Sequence, residues 1–457
     1  MNRREILRLM GNGFGTLGLA RMLERPARSS PGESRGPHFA PKATRIVYLF
    51  LNGGMSHIDT FDPKPVLDQR HGEPLPGPKI KTDRASGNLM RSPFRFKKHG
   101  QSGIEVSEIF PKVGARIDDF CLVRSTWSDN GNHEPSMLMG NCGHNLAGRP
   151  SMGSWITYGL GTVNANLPGF MVLCPGFPVG GAQLWDSSFL PSIHQGVHVP
   201  NNEVEIDKLV RNLQNRSLTR ADQERQLALV DDLNRSYLAA TGRHPGLENA
   251  IASMEVAFKM QIEAPEVLDI TRESEATRER YGNTEFGRGC LMALRLIERG
   301  VRMVEVYYGN FQPWDSHEDI GTHAKLARGA DAAIASLVDD LKARGLFHET
   351  LIVVGTEFGR TPMIQNSGLE KVGNGRDHNV HGWTTLLAGG GVKGGFVHGA
   401  TDEFGMRAAE NKVHVHDLHA TILHLLGIDH TRLTYRYSGR DYRLTDVGGN
   451  VVREIIA

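Results

Sequence analysis

The sequence predicts an α/β fold, a mostly parallel sheet with helices on both faces and a helical insertion. Three observations predict it. Short apolar runs rich in β-branched residues alternate with segments whose apolar residues recur at helical spacing. Glycine is abundant, at 53 residues, as many loops around a sheet require. Histidines and carboxylates recur just after the strand-like runs, where open α/β sheets place their sites.

The bulk properties narrow the class. A chain of 457 residues buries a large core as one big domain or two. A net charge of +1 gives no electrostatic footprint for nucleic acid or an acidic membrane surface. Cys121, Cys142, Cys174 and Cys290 form no C-x-x-C and read as small buried hydrophobes, with one disulfide left open for an exported protein. No apolar run is long enough to span a bilayer.

From the N-terminus, Asn2-Arg3-Arg4-Glu5-Ile6-Leu7-Arg8 resembles a twin-arginine export motif and precedes the weakly apolar Met10–Ala20. This predicts a periplasmic or otherwise exported protein. The alternative is a short amphipathic helix on a cytoplasmic one. Pro26–Pro41 reads as a linker, so residues 1–42 are signal and linker and 43–457 the folded domain.

Arg45–Leu51 is a buried central strand. It ends in Asn52-Gly53-Gly54-Met55-Ser56-His57-Ile58-Asp59, where the glycine pair lets backbone approach a ligand. His57 and Asp59 there are either loop hydrogen-bonders or ligands. Asp62–Lys98 lacks periodicity and reads as a long surface loop, followed by a short helix at Glu108–Gly114 and a strand at Asp119–Ser125. Pro135 suits the first turn of a helix running to Gly140, whose N-terminus would face an anion near His133 and Ser136. Gly148–Gly161 reads as a helix, Gly169–Cys174 as a strand, and Ser187–Pro200 as loop with His194 and His198 on the surface.

Residues 203–282 change character: charged residues dominate, and apolar ones recur at helical spacing (Leu227, Leu229, Val230, Leu233, Tyr237; Ile251, Met254, Phe258, Ile262). Two or three amphipathic helices are inserted here. The α/β rhythm then resumes with a helix at Arg288–Arg299, a strand at Val301–Tyr308, a helix at Ala324–Arg344, strands at Thr350–Gly355 and Thr384–Ala388, and a helix at His416–Gly427. The glycine run Gly389–Gly395 lacks G-K-[ST] and reads as a turn.

The chemistry concentrates between Trp314 and His381. Asp315, His317, Asp319 and His323 lie within ten positions; Glu357 and Arg360 follow the next strand; Arg376, His378 and His381 close the stretch. Carboxylates and imidazoles are the ligands of a divalent metal in a hydrolase. Asp315 with His317, or Asp319 with His323, has the spacing for one centre, and Glu357 with His378 or His381 for a second. Arg360 and Arg376 are natural anion clamps. Metals, a nucleophile and clamps are what hydrolysis of a phosphate or sulfate ester needs. The metal type (zinc, manganese or calcium) stays open.

Several stretches together resemble a known family: Leu49-Phe50-Leu51-Asn52-Gly53-Gly54, Ser56-His57-Ile58-Asp59-Thr60-Phe61-Asp62, Gly148-Arg149-Pro150-Ser151, Trp314-Asp315-Ser316-His317, Glu357-Phe358-Gly359-Arg360-Thr361-Pro362, Gly375-Arg376-Asp377-His378 and His416-Asp417-Leu418-His419. From Thr44 onward the chain resembles the bacterial sulfatase-like domain-of-unknown-function 1501 family. The resemblance implies an alkaline-phosphatase-like fold, shared with sulfatases and cofactor-independent phosphoglycerate mutases, but no established activity. It also implies metal ligands at Asn52, where the superfamily usually has Asp, and at His378 or His381. In the nucleophile slot, sulfatases carry C-x-P-S-R; here the similar stretch is His133-Glu134-Pro135-Ser136-Met137. Formylglycine chemistry is therefore not expected, and attack would fall to water activated at the metal or to Ser136.

Two functions follow. One is an exported metal-dependent hydrolase of sulfate or phosphate esters, acting on a small-molecule or polysaccharide ester. The other is a non-catalytic protein that binds metal or oxyanion and has lost the nucleophile.

Overall fold

The computed structural model describes residues 36–77, 82–209, 218–241, 245–365 and 373–457. The twin-arginine-like Asn2–Arg8 segment, the Met10–Ala20 run and the linker up to residue 35 lie outside the described residues.

Among the described residues the central sheet has nine strands. They include β1 (Arg45–Phe50), β2 (Phe120–Trp127), β3 (Phe170–Leu173), β4 (Val197–Val199), β5 (Met303–Tyr307), β6 (Thr350–Gly355), β7 (Trp383–Ala388), β8 (Phe396–His398) and β9 (Val413–His414). Their order is β8-β2-β7-β6-β1-β5-β3-β4, with β9 also beside β2. Pairing is parallel throughout except at β7, which runs antiparallel to both its neighbours. In β1, Ile46, Tyr48 and Phe50 face one side, and Val47 and Leu49 the other. Both sides are covered, so the strand reads as one unbroken apolar run rather than an alternating one.

The longer helices among the described residues are α1 (His133–Cys142), α2 (Met152–Leu160), α3 (Arg220–Thr241), α4 (Pro245–Leu268), α5 (Glu285–Glu298), α6 (His323–Ala343) and α7 (Val415–Leu425). Leu291, Leu294 and Ile297 of α5 and Ile334, Leu337, Val338 and Leu341 of α6 pack with Val47, Val304 and Ile352 on one face. Met137 of α1, Trp155 of α2 and Ile422 of α7 pack with Ile46, Phe170 and Val353 on the other. Each buried side chain of this kind contributes ~1.5–3 kcal/mol. The carboxyl ends of β1, β2, β3, β5 and β6 therefore share one edge, and the loops leaving that edge carry the chemistry.

Where sequence and structure differ, the reasons are local. Asp62–Lys98 is not all loop. It holds a helix at Pro65–Gln69 and strands at Ser86–Leu89 and Phe96–His99, each too short to show a period. Two strands not expected, Gly359–Gln365 and Arg376–Asn379, form a small antiparallel sheet with Ser86–Leu89. Their buried residues are largely polar, which hides them from an apolar pattern. His194 and His198 are half-buried rather than on the surface; burial pulls His194 down to about 4, and His198 Nε2 pairs with the Cys174 carbonyl at 2.8 Å. Within 203–282, α3, α4 and a helix at Glu275–Tyr281 are present. Met260 joins the core, whereas Leu229, Leu233 and Tyr237 of α3 are exposed. All four cysteines are free and buried, and burial pushes the Cys121 and Cys174 thiols up to about 12. Among the described residues no helix is long and apolar enough to cross a membrane.

Candidate metal centre

Two strand-end segments and one small strand converge at this edge of the sheet. The loop after β5 delivers Asp315 and His317. The loop after β2 runs into α1, whose first residue is His133. Pro135 sits in that first turn, where its missing N–H costs nothing. The strand Arg376–Asn379 delivers His378. One ligand atom from each of His133, Asp315, His317 and His378 lies within 4.8 Å of the others.

The geometry fixes the tautomer of each histidine. His133 Nδ1 lies 2.7 Å from Glu357 Oε1, His378 Nδ1 lies 2.8 Å from the Gly131 carbonyl oxygen, and His317 Nδ1 meets Gln365 Oε1. All three partners only accept, so each Nδ1 carries a proton, and Nε2 is the atom each ring offers to a metal. The three Nε2 atoms turn toward one carboxylate. They lie 3.4 Å (His133), 2.9 Å (His317) and 3.4 Å (His378) from Asp315 oxygens. The Nε2 atoms of His133 and His317 are buried without a properly oriented hydrogen bond. Imidazoles bound through one ring nitrogen, with the other donating to a carboxylate, a carbonyl or an amide oxygen, are the usual surroundings of a metal. Buried ring nitrogens that face a carboxylate without a well-aligned hydrogen bond fit the same picture. Phe358 closes the site from below, its ring 4.8 Å from that of His133 and 4.4 Å from that of His378.

Electrostatics agree. Burial alone would raise the Asp315 carboxyl, but His133, His317, His378 and Arg360 together hold it well below the usual carboxylate range. Burial alone would lower His133, but Asp315 and Glu357 hold it up at about 9. In His378 burial wins over the Asp315 contact and the pKa falls. Arg360 Nη2 is 2.7 Å from Asp315 Oδ1, and Gln312 Nε2 is 2.9 Å from Oδ2.

The remaining expected ligands are placed elsewhere, and all but His381 have a partner of their own. Asn52 binds backbone, with Nδ2 2.9 Å from the Gly309 carbonyl and 2.6 Å from that of Phe311. His57 Nε2 bonds the Gly405 carbonyl at 2.8 Å. Asp59 is paired with Arg376 at 2.8 Å, with both side chains wholly buried. Asp319 is exposed and caps the turn at Gly321, and His323 accepts the Ser56 N–H at 3.1 Å from inside the core. The D-x-x-x-H pair therefore does not converge. His381 is exposed beyond the small strand. Glu357 stands behind His133, its carboxylate also accepting the Gly53 N–H at 2.8 Å.

The nucleophile and clamp expectations need correction. Ser136 is buried, and its hydroxyl donates to the Asn130 carbonyl at 2.5 Å. The Arg360 guanidinium is fully buried and donates to Asp315 and to the carbonyls of Gly53, Gly54, Trp314 and Arg376. Arg376 donates to Asp59, Thr361, Met90 and Arg91. Neither has a donor turned toward solvent; they build the site and do not clamp an anion. Sequence reading missed Gln312, Gln365 and the Gly131 carbonyl. Gln312, three residues before Asp315, carried a signal in its spacing; the other two reach the site only through the tertiary fold.

The sequence model of the family described as Protein of unknown function (DUF1501) matches residues 43–456. No curated protein matches the chain significantly. Among solved structures the chain is similar to PsFucS1 sulfatase from Pseudoalteromonas sp., at 12% identity and TM-score 0.34, over 84% of this chain and 68% of that one. It is also similar to a protein in the alkaline phosphatase superfamily from Vibrio parahaemolyticus, at 10% identity and TM-score 0.35, over 94% and 76%. A third similar structure is the alkaline phosphatase of the Antarctic bacterium TAB5, at 10% identity and TM-score 0.31, over 76% and 92%.

Proposed function

We propose, for a chain that belongs to the family described as Protein of unknown function (DUF1501), a metal-dependent hydrolase of phosphate or sulfate esters whose metal is held by His133, Asp315, His317 and His378. One observation carries this reading: three imidazoles with their Nδ1 protons tied off present Nε2 to a single ionised carboxylate. Three imidazole nitrogens and one carboxylate suit zinc or manganese and not calcium, which takes oxygen ligands. Bound there, the metal supplies charge neutralisation at the ester oxygens and activation of water.

The chain's own groups do the rest. Glu357 fixes the His133 tautomer and orientation. Arg360 and Gln312 hold Asp315 ionised and in place. His133, His317 and Asp315 keep side-chain exposures of 10%, 9% and 14%, so the cluster lies just beneath the surface with the Nε2 atoms of both rings turned inward. With Ser136 engaged, attack on phosphorus or sulfur falls to water. The substrate class is a small-molecule or polysaccharide ester, and the twin-arginine-like start supports export; signal-dependent fractionation between periplasm and cytoplasm tests the latter.

The second reading is metal and oxyanion binding without turnover. The two arginines and the serine, all spent on protein partners, favour it. Metal analysis of the purified chain, with p-nitrophenyl phosphate and p-nitrophenyl sulfate as substrates, separates the readings. The hydrolase reading expects about one transition metal per chain and turnover lost in Asp315→Ala and His378→Ala. Bound metal without turnover supports the second reading. A metal-free chain overturns both.

A further inference from the structure

Phe311 is the feature that the metal centre does not explain. It adopts φ +51°, a left-handed conformation that a bulky side chain rarely takes, and its residue is 71% exposed. Strain of this kind persists only where surrounding structure imposes it, and it clusters at ligand sites. The imposing contacts are present. Asn52 Nδ2 holds the Phe311 carbonyl at 2.6 Å, the Phe311 N–H donates to the Phe177 carbonyl at 3.0 Å, and the Val179 N–H reaches the Phe311 carbonyl at 3.4 Å. Asparagine or glycine would fit this backbone without strain. The fold holds an apolar ring in solvent instead.

The location gives the ring a use. Phe311 precedes Asp315 by four positions, at most about 14 Å of chain, and the Asp315 N–H folds back on the Gln312 carbonyl at 3.0 Å, bringing the two nearer. Phe177, 52% exposed, stands on the loop after β3, the strand next to β5 at the same sheet edge. It is backed by Trp185, with ring centroids 6.0 Å apart and planes 15° apart. The loops that leave β3 and β5 at this sheet edge, the second of them carrying Asp315 and His317, thus each present an exposed apolar ring. The two rings offer no hydrogen bonds, only flat faces.

We propose that Phe311, with Phe177, is a substrate-positioning platform for the ring of the ester's alcohol part, a flat apolar face such as an aryl ring or the C–H face of a pyranose. The ester head lies at the metal cluster while the ring stacks on Phe311. This inference rests on the metal-site reading above.

The test uses the full metal-loaded chain and titration calorimetry with four probes: inorganic phosphate, glycerol phosphate, phenyl phosphate and glucose 6-phosphate. The parent binds phenyl phosphate or glucose 6-phosphate about tenfold tighter than glycerol phosphate, and which of the two gains more tells aryl from pyranose. Phe311→Gly, which relieves the backbone strain, removes that preference, leaves inorganic phosphate affinity unchanged, and unfolds at or above the parent's melting temperature. Phe177→Ser weakens the preference in the same direction. If Phe311→Gly keeps the ring preference, or the parent has none while still binding phosphate, the platform is refuted and the metal-site reading stands. If Phe311→Gly is clearly less stable, the ring serves packing and the proposal also fails. If the metal-loaded parent binds neither inorganic phosphate nor, in a parallel titration, inorganic sulfate, both readings fall.

Discussion

Replacing Glu357 by Gln tests the logic of the site with the smallest change of shape. The carboxylate accepts the His133 Nδ1 proton at 2.7 Å and the Gly53 N–H at 2.8 Å, and its side chain is wholly buried. Glutamine keeps an acceptor but removes the charge that makes His133 Nε2 a stronger donor to metal. Loss of such a supporting group weakens metal binding by about 10- to 100-fold, or ~1.4–2.7 kcal/mol; Glu357→Gln belongs at the lower end and Glu357→Ala at the upper. The effect has a pH signature. In the metal-free chain His133 is held up at about 9, so between pH 7 and 9 metal must displace its proton, and affinity rises about tenfold per unit. Without the Glu357 charge that pKa falls. The deficit of Glu357→Gln is therefore full at pH 9 and smaller at pH 7, and its affinity climbs less steeply with pH. Competition against a chromophoric zinc chelator at both pH values measures this, with thermal unfolding of the metal-free variant as the control for folding. Equal affinity of parent and variant at pH 9, with the same pH slope, would refute His133 as a ligand.

Other outcomes follow from buried charge and close approach. Arg376→Leu breaks the wholly buried pair with Asp59 and costs about 3–5 kcal/mol in denaturant unfolding; a loss under about 1 kcal/mol would show the pair to be no better than a surface one. Gly53→Ala is poorly tolerated, because φ is +119° and a Cβ there meets the Trp314 and Asp315 nitrogens at 2.5 and 2.6 Å. Its expected readout is lost metal binding even where the chain still folds. Glu305 lies in β5 with Oε1 unpaired, and burial raises its carboxyl to about 8. The folded form then keeps a proton that the unfolded chain releases from about 4.5 upward. Stability is present below that value and falls as pH rises toward about 8, by up to ~1.4 kcal/mol per unit. Glu305→Gln flattens this slope, which urea unfolding between pH 5 and 8 measures; an unchanged slope would remove Glu305 as its source.

The fold class was legible because doubly covered strands advertise themselves. Arg45–Leu51 and Thr350–Gly355 are largely apolar runs, and both are central strands, paired parallel to each other. The site was legible only in part. Asp315 and His317 meet because a strand end and a two-residue spacing put them there. His378 reaches them through a small antiparallel sheet of polar residues, and His133 through the start of a helix. The neighbouring Asp319, His323 and His381 have the same chemistry in sequence but different neighbours in space. Which imidazole turns inward is decided by acceptors such as Gln365 and the Gly131 carbonyl, and no local pattern encodes those.

The Arg360 guanidinium touches segments that are far apart along the chain: the turn after β1, the loop after β5, and the small strand that carries His378. Its bonds to Gly54 and Trp314 span 306 and 46 residues. A half-formed chain therefore has no half-formed site, since Asp315 has its cation only once the first and last thirds of the domain have met. Contacts of such long sequence separation form late. Metal capture then becomes a signal of completed folding, and the rate at which metal is taken up during refolding should match the slowest step that tertiary structure reports.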